Sequence, residues 1–123
     1  MSKIAHQNAA INLPAILRCK GEKKKLSMVT CYDAAFARLV EQSPVDMVLV
    51  GDSLGNVMMG HGDTIPVTLD DMIHHCASVA RILRRPFLVI DMPFMTCQVS
   101  VEKTLENCAR AMQEGGAKAV KIE

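Results

Sequence analysis

The chain has 123 residues, half of them hydrophobic and 22% charged, with a formal net charge of +1 and no tryptophan. That length allows one domain with a modest core, and the near-neutral balance and few aromatics exclude the basic, base-stacking surface of a nucleic-acid binder. No apolar stretch approaches a membrane span, and Met1-Ser2-Lys3-Ile4-Ala5-His6 lacks the apolar segment of a secretory leader, so a cytoplasmic protein without membrane partners is expected. The five cysteines are odd in number and form no C-x-x-C pair, which points to reduced thiols rather than zinc or disulfides. Nine methionines read as soft core filling.

Residues 1–25 form a lead-in. Its first dozen residues are polar, and Asn12-Leu13-Pro14-Ala15-Ile16-Leu17-Arg18 predicts a short helix, with proline tolerated in the first turn and Gly21 ending it. Lys23, Lys24 and Lys25 read as a solvated turn. Residues 26–123 then alternate strand and helix. The first strand, Met28-Val29-Thr30-Cys31-Tyr32-Asp33, delivers Asp33 to cap a helix with Phe36, Leu39 and Val40 on one face. Ser43-Pro44 closes that helix, and a second strand, Met47-Val48-Leu49-Val50-Gly51-Asp52, follows.

Residues 54–66 predict the longest connection, with glycines at 55, 60 and 62. Thr68 with Asp71 then predicts a capping box for a helix buried through Leu69, Met72, Ile73, Cys76, Val79, Ala80 and Leu83. Arg81, Arg84 and Arg85 are expected in its last turns, where the helix dipole favours positive charge. Pro86 breaks the pattern ahead of the third strand, Phe87-Leu88-Val89-Ile90-Asp91. Ser100 caps a last helix with an expected buried stripe of Val101, Leu105, Cys108, Ala109 and Met112, and Gly115-Gly116 ends it. The fourth strand is Ala119-Val120-Lys121-Ile122-Glu123.

Each strand therefore ends on a carboxylate. Parallel strands carry those carboxylates to one rim, where α/β folds gather their ligands. An open doubly wound sheet and the first half of a (β/α)₈ barrel both fit. No Gly-x-Gly-x-x-Gly follows the first strand, which counts against a dinucleotide-binding sheet.

Adjacent strands lie about 4.8 Å apart, so carboxylates on neighbouring strand ends can meet at one hard cation. Asp52 and Asp91 are the natural pair, with Glu123 as a third ligand from the next strand. Lys121 points to the same side as Glu123 and suits a carboxylate partner, from the protein or a substrate. Ser53 stands at the loop mouth, either as a hydrogen-bond donor to a substrate carboxylate or as a turn serine. Asp33 reads as a helix cap and His74-His75 as a packing pair, whereas His61 in the glycine-rich loop is the histidine with a candidate site role.

Five segments occur in order and at fitting distances. They are Thr30-Cys31-Tyr32-Asp33, Val50-Gly51-Asp52-Ser53-Leu54-Gly55, Gly60-His61-Gly62-Asp63-Thr64-Ile65-Pro66-Val67-Thr68, Asp91-Met92-Pro93-Phe94 and Val120-Lys121-Ile122-Glu123. Together they closely resemble the ketopantoate hydroxymethyltransferase (3-methyl-2-oxobutanoate hydroxymethyltransferase) family. The resemblance implies the N-terminal half of a (β/α)₈ barrel of the phosphoenolpyruvate/pyruvate superfamily, in a homo-oligomer that is a decamer in typical members. It implies hydroxymethyl transfer from 5,10-methylenetetrahydrofolate to 3-methyl-2-oxobutanoate, giving 2-dehydropantoate for pantothenate and coenzyme A biosynthesis through magnesium-assisted enolate formation.

Carried over motif by motif, Asp52, Asp91 and Glu123 are implied as magnesium ligands, and Asp52, Ser53, Asp91 and Lys121 as contacts to the 2-oxo acid. The family's general base is a glutamate of the barrel's second half with no match here, so no catalytic residue is assigned. The chain is accordingly expected to be a fragment without turnover of its own. The alternatives are another magnesium-dependent barrel lyase acting on 2-oxo acids, and a non-catalytic truncated chain acting only through association.

Overall fold

The computed structural model describes residues 9–123, so the first eight positions of the lead-in lie outside the described residues. Helix α1 (Leu13–Gly21) starts where expected: the Asn12 side chain accepts from the Ala15 amide at 3.0 Å, and Pro14 sits in the first turn. The three lysines that follow are exposed.

Four strands, β1 (Met28–Thr30), β2 (Met47–Val50), β3 (Phe87–Asp91) and β4 (Ala119–Lys121), form one parallel sheet in the order β1-β2-β3-β4. That order separates the two architectures left open by the sequence. A doubly wound sheet reverses its strand order at a switch point, whereas consecutive strands of a (β/α)₈ barrel are always neighbours. The register places Leu49 beside Val89 and Asp91 beside Lys121.

The core lies between the middle strands and helix α4 (Leu69–Ala80). Val48, Val50, Leu88 and Ile90 pack with Met72, Cys76 and Val79, all of them buried. Fully burying one such side chain contributes about 1.5–3 kcal/mol. Each longer helix starts on a local cap. Asp33 accepts from the Phe36 amide at 2.8 Å ahead of helix α2 (Ala34–Glu41). Thr68 and Asp71 exchange two bonds in a capping box ahead of α4, and Ser100 caps helix α5 (Val101–Gln113). Gly116, at φ +76°, turns the chain after α5 in a conformation that favours glycine. No described helix is long and apolar enough to cross a membrane.

Four expectations are corrected. The connection over residues 54–66 is not wholly a loop, because a one-turn helix, α3 (Leu54–Val57), opens it. Helix α4 stops at Ala80, so Arg84 and Arg85 do not face its dipole. Their backbone amides instead donate to the Glu41 carboxylate at 2.8 and 3.1 Å, and Arg85 pairs with Asp46 at 3.6 Å. Three strands stop short of their carboxylates, β1 at Thr30, β2 at Val50 and β4 at Lys121, leaving Asp33, Asp52 and Glu123 beyond them, and only β3 ends on its own, Asp91.

The stripe of α5 is the largest correction. Val101, Leu105 and Met112 are 72%, 66% and 43% exposed, and the buried positions are Asn107 and Ala111. α5 turns its Asn107–Ala111 line inward, and among the described residues no element covers its apolar stripe. Phe36 and Leu39 of α2, at the other edge of the sheet, are likewise exposed.

Candidate functional site

Asp91 closes β3, whose five residues are all buried, so the fold carries a carboxylate to the end of its most enclosed strand. Its side chain is only 10% exposed. A carboxylate so placed needs donors, and it has two. Lys121 Nζ donates to Oδ1 at 2.8 Å, and the Asp52 backbone N–H donates to Oδ2 at 3.2 Å. The same ammonium contacts the Glu123 carboxylate, so Lys121 lies between Asp91 and Glu123. Strands β2, β3 and β4 thus meet at one charged cluster.

The Asp52 side chain stands at the same strand ends, half-exposed and without a hydrogen bond among the described residues. Ser53 is exposed, and its hydroxyl caps nothing although it occupies the N-cap position of α3. Among the described residues no three His, Cys, Asp or Glu side chains gather as a metal-ion group. The donor set near Asp52 and Asp91 is all oxygen, and magnesium is commonly held by one or two carboxylates with waters or substrate completing its shell. Asp52 and Asp91 offer oxygen donors of the kind such an ion takes, while Glu123 is engaged by Lys121.

Asp33 lies apart from this cluster as a cap, and His75 donates from Nδ1 to the Tyr32 carbonyl at 2.8 Å. His61 is held through its backbone: its amide donates to the Gly55 carbonyl at 2.8 Å and its carbonyl accepts from Asn56. Its ring makes no hydrogen bond among the described residues.

Three supporting residues escaped the sequence reading. Gly51 leaves room for Asp91, since a Cβ there would lie 3.3 Å from Asp91 Oδ2. Gln98 donates to the Glu123 carbonyl at 2.9 Å while its own carbonyl oxygen accepts from the Cys97 amide, tying the β3–α5 connection to the end of β4. Asn107 donates to the Thr96 carbonyl at 2.7 Å and anchors the same connection, in which Met95 adopts φ +60°. A polar residue one turn before Ala111 was a usable signal for Asn107. Gln98 had none, because its partner is 25 residues away.

The family described as ketopantoate hydroxymethyltransferase matches residues 10–123. The 3-methyl-2-oxobutanoate hydroxymethyltransferase of Pelobacter propionicus is 54% identical over 113 residues, covering 92% of this chain and 42% of the relative. That of Aquifex aeolicus is 49% identical over 114 residues, covering 93% and 43%. The chain therefore spans about two-fifths of the length of these curated relatives.

Among solved structures, 2,3-dimethylmalate lyase, a PEP mutase/isocitrate lyase superfamily member, superposes with a TM-score of 0.67 at 17% identity, over 89% of this chain and 38% of that one. Oxaloacetate acetylhydrolase gives a TM-score of 0.63 at 18% identity, over 85% and 37%. These two likenesses show the fold, that of part of a (β/α)₈ barrel. The family match over residues 10–123 and relatives at about half identity place the chain in the ketopantoate hydroxymethyltransferase family.

Proposed function

We propose that this chain supplies the metal- and oxo-acid-binding part of an enzyme that transfers a hydroxymethyl group from 5,10-methylenetetrahydrofolate to 3-methyl-2-oxobutanoate, giving 2-dehydropantoate. The observation that supports it most is the Asp91–Lys121 pair beside the unbonded Asp52 carboxylate, at the ligand-binding end of the strands. Asp52 and Asp91 would hold magnesium, with Glu123 as the third acidic member of the site. When bound, magnesium supplies Lewis-acid stabilisation of the charge that develops on a keto oxygen as the neighbouring carbon loses its proton.

The protein's own groups do the positioning. Lys121 presents an ammonium to the substrate carboxylate, which takes the place of Glu123 while Asp91 keeps the lysine aimed. Ser53 offers a hydroxyl donor to the same carboxylate. Asp91, with one oxygen on Lys121 and the other on the Asp52 amide, is fixed in orientation before any ligand arrives. We assign no general base within the chain, and propose that it binds the oxo acid without completing the transfer. A homo-oligomeric, cytoplasmic enzyme is part of the same proposal.

The test is titration of 3-methyl-2-oxobutanoate into the isotope-labelled chain, with and without magnesium. Saturable shifts at Asp52, Ser53, Asp91 and Lys121 that require magnesium, and that Asp52→Asn removes, are expected. Binding elsewhere, or binding indifferent to magnesium, would overturn the proposal.

A further inference from the structure

The β3–α5 connection folds back over α5 and brings two cysteine-bearing segments together. Cys97 lies in the connection and Cys108 in α5, and both are free, half-buried and packed against the core. Contacts that do not involve sulfur set this approach. Asn107, immediately before Cys108, holds the carbonyl of Thr96, immediately before Cys97, at 2.7 Å. Cys97 also lines a cavity of about 390 Å³ together with Val101, Thr104 and Leu105. Thr104 lies one helical turn before Cys108, so it shares the Cys108 face of α5.

Burial, and after it the neighbouring Cys97 thiol, pushes the Cys108 thiol up. The other cysteines are elsewhere: Cys31 and Cys76 are buried, and Cys19 is on α1. Burial pushes the Cys76 thiol up to about 12, which removes it as a competing nucleophile.

We propose that Cys97 and Cys108 form an oxidisable dithiol site, which a hydroperoxide converts to an intramolecular disulfide. Cys97 reacts first, because it lines the cavity by which a small oxidant arrives and Cys108 does not. The Cys97 thiolate, its proton released to solvent, attacks a peroxide oxygen. The S–O bond forms, the O–O bond breaks, and with hydrogen peroxide the leaving hydroxide takes up a proton as water. The Cys108 sulfur then attacks the Cys97 sulfenic sulfur. The S–S bond forms, the S–O bond breaks, and a second water leaves with the Cys108 proton. Two thiols lose two electrons and two protons, and one peroxide becomes two waters. The bond staples the connection that follows Asp91 onto α5. This inference does not depend on the proposed reaction.

The test treats the native chain with limiting hydrogen peroxide, alkylates free thiols and maps linked peptides. Monomer mass should fall by about 2 Da, reversibly with dithiothreitol, and the 97–108 linkage should exceed any other by roughly tenfold. In denaturant, Cys19–Cys31 closes a loop of nearly equal length, so the two linkages should form within about threefold of each other. The Cys108→Ser variant should accumulate a Cys97 sulfenic acid that dimedone traps. A dominant linkage other than 97–108, oxidation that proceeds only to sulfinic acid, or the same preference in denaturant would overturn the proposal. The wild-type mapping decides it even if the variant folds poorly.

Discussion

Asp91 and Lys121 are register partners on adjacent parallel strands, and Lys121 Nζ donates to Asp91 Oδ1 at 2.8 Å. Register partners share a face of the sheet, so the pairing of β3 with β4 and the charge pairing are one event. The Asp91 side chain is 10% exposed and that of Lys121 41%, so solvent screens the lysine but barely reaches the carboxylate.

Lys121→Met should therefore leave Asp91 with one backbone donor and destabilise the chain by about 1–3 kcal/mol, below the loss expected for a fully buried pair. A double-mutant cycle with Asp91→Asn, read by denaturant unfolding, should give a clear coupling. Zero coupling would mean the pair adds no stability. In the proposed enzyme the same substitution should weaken 2-oxo acid binding while leaving folate binding unchanged.

Gly51→Ala and Gly55→Ala should behave differently. At Gly51 the added methyl meets the Asp91 carboxylate at 3.3 Å, so the carboxylate must shift. Stability should change by less than about 1 kcal/mol, while magnesium affinity measured by calorimetry should fall roughly tenfold. At Gly55 the methyl would lie 2.4 Å from Val67 Cγ2 in the core, and overpacking should destabilise the chain by about 1–3 kcal/mol. Equal effects at the two sites would show that Gly51 is not set against Asp91 for a reason of function.

Asp71 links stability to acid. The Thr68 amide donates to its carboxylate at 2.9 Å and holds its pKa below the ordinary carboxylate value. A depressed folded pKa stabilises the protein above the unfolded pKa, and that stability is lost as pH falls through the folded one. Asp71→Asn keeps an acceptor without the titration. Its stability should fall less steeply than wild type between about pH 4 and pH 2. Parallel acid limbs in chemical unfolding would refute the link.

The two edges of the sheet carry uncovered apolar helix faces, with Phe36 and Leu39 each 63% exposed on α2, and Val101 and Leu105 on α5. Apolar surface of this kind drives association. Sedimentation velocity should show concentration-dependent self-association, relieved by Leu39→Glu with Leu105→Glu at unchanged helix content. A wild-type chain that stays monomeric at about 100 μM would count against it.

Helix starts were legible because caps are local. Asn12, Asp33, Thr68 and Ser100 each accept from an amide three residues on, a geometry the chain forms by itself. The same locality made the reading of Asp33 as a cap sound, and that of Asp91, which precedes no helix, open to chemistry. Burial on α5 was not legible. Its apolar spacing shows that one face is apolar, but whether anything covers that face depends on elements distant in the chain.

By itself, then, the sequence determined the alternation of strands and helices, their caps, the carboxylates at or just past the strand ends and the motifs of the family, all set by neighbours within a few residues or by residue identity. The tertiary structure alone decided the strand order that separates a barrel from a doubly wound sheet. It also decided that Lys121 meets Asp91, that Gln98 ties Glu123 to the β3–α5 connection, and that Gly51 makes space for a carboxylate 40 residues away. Those contacts arise from register between strands, which packing fixes cooperatively and no local pattern encodes.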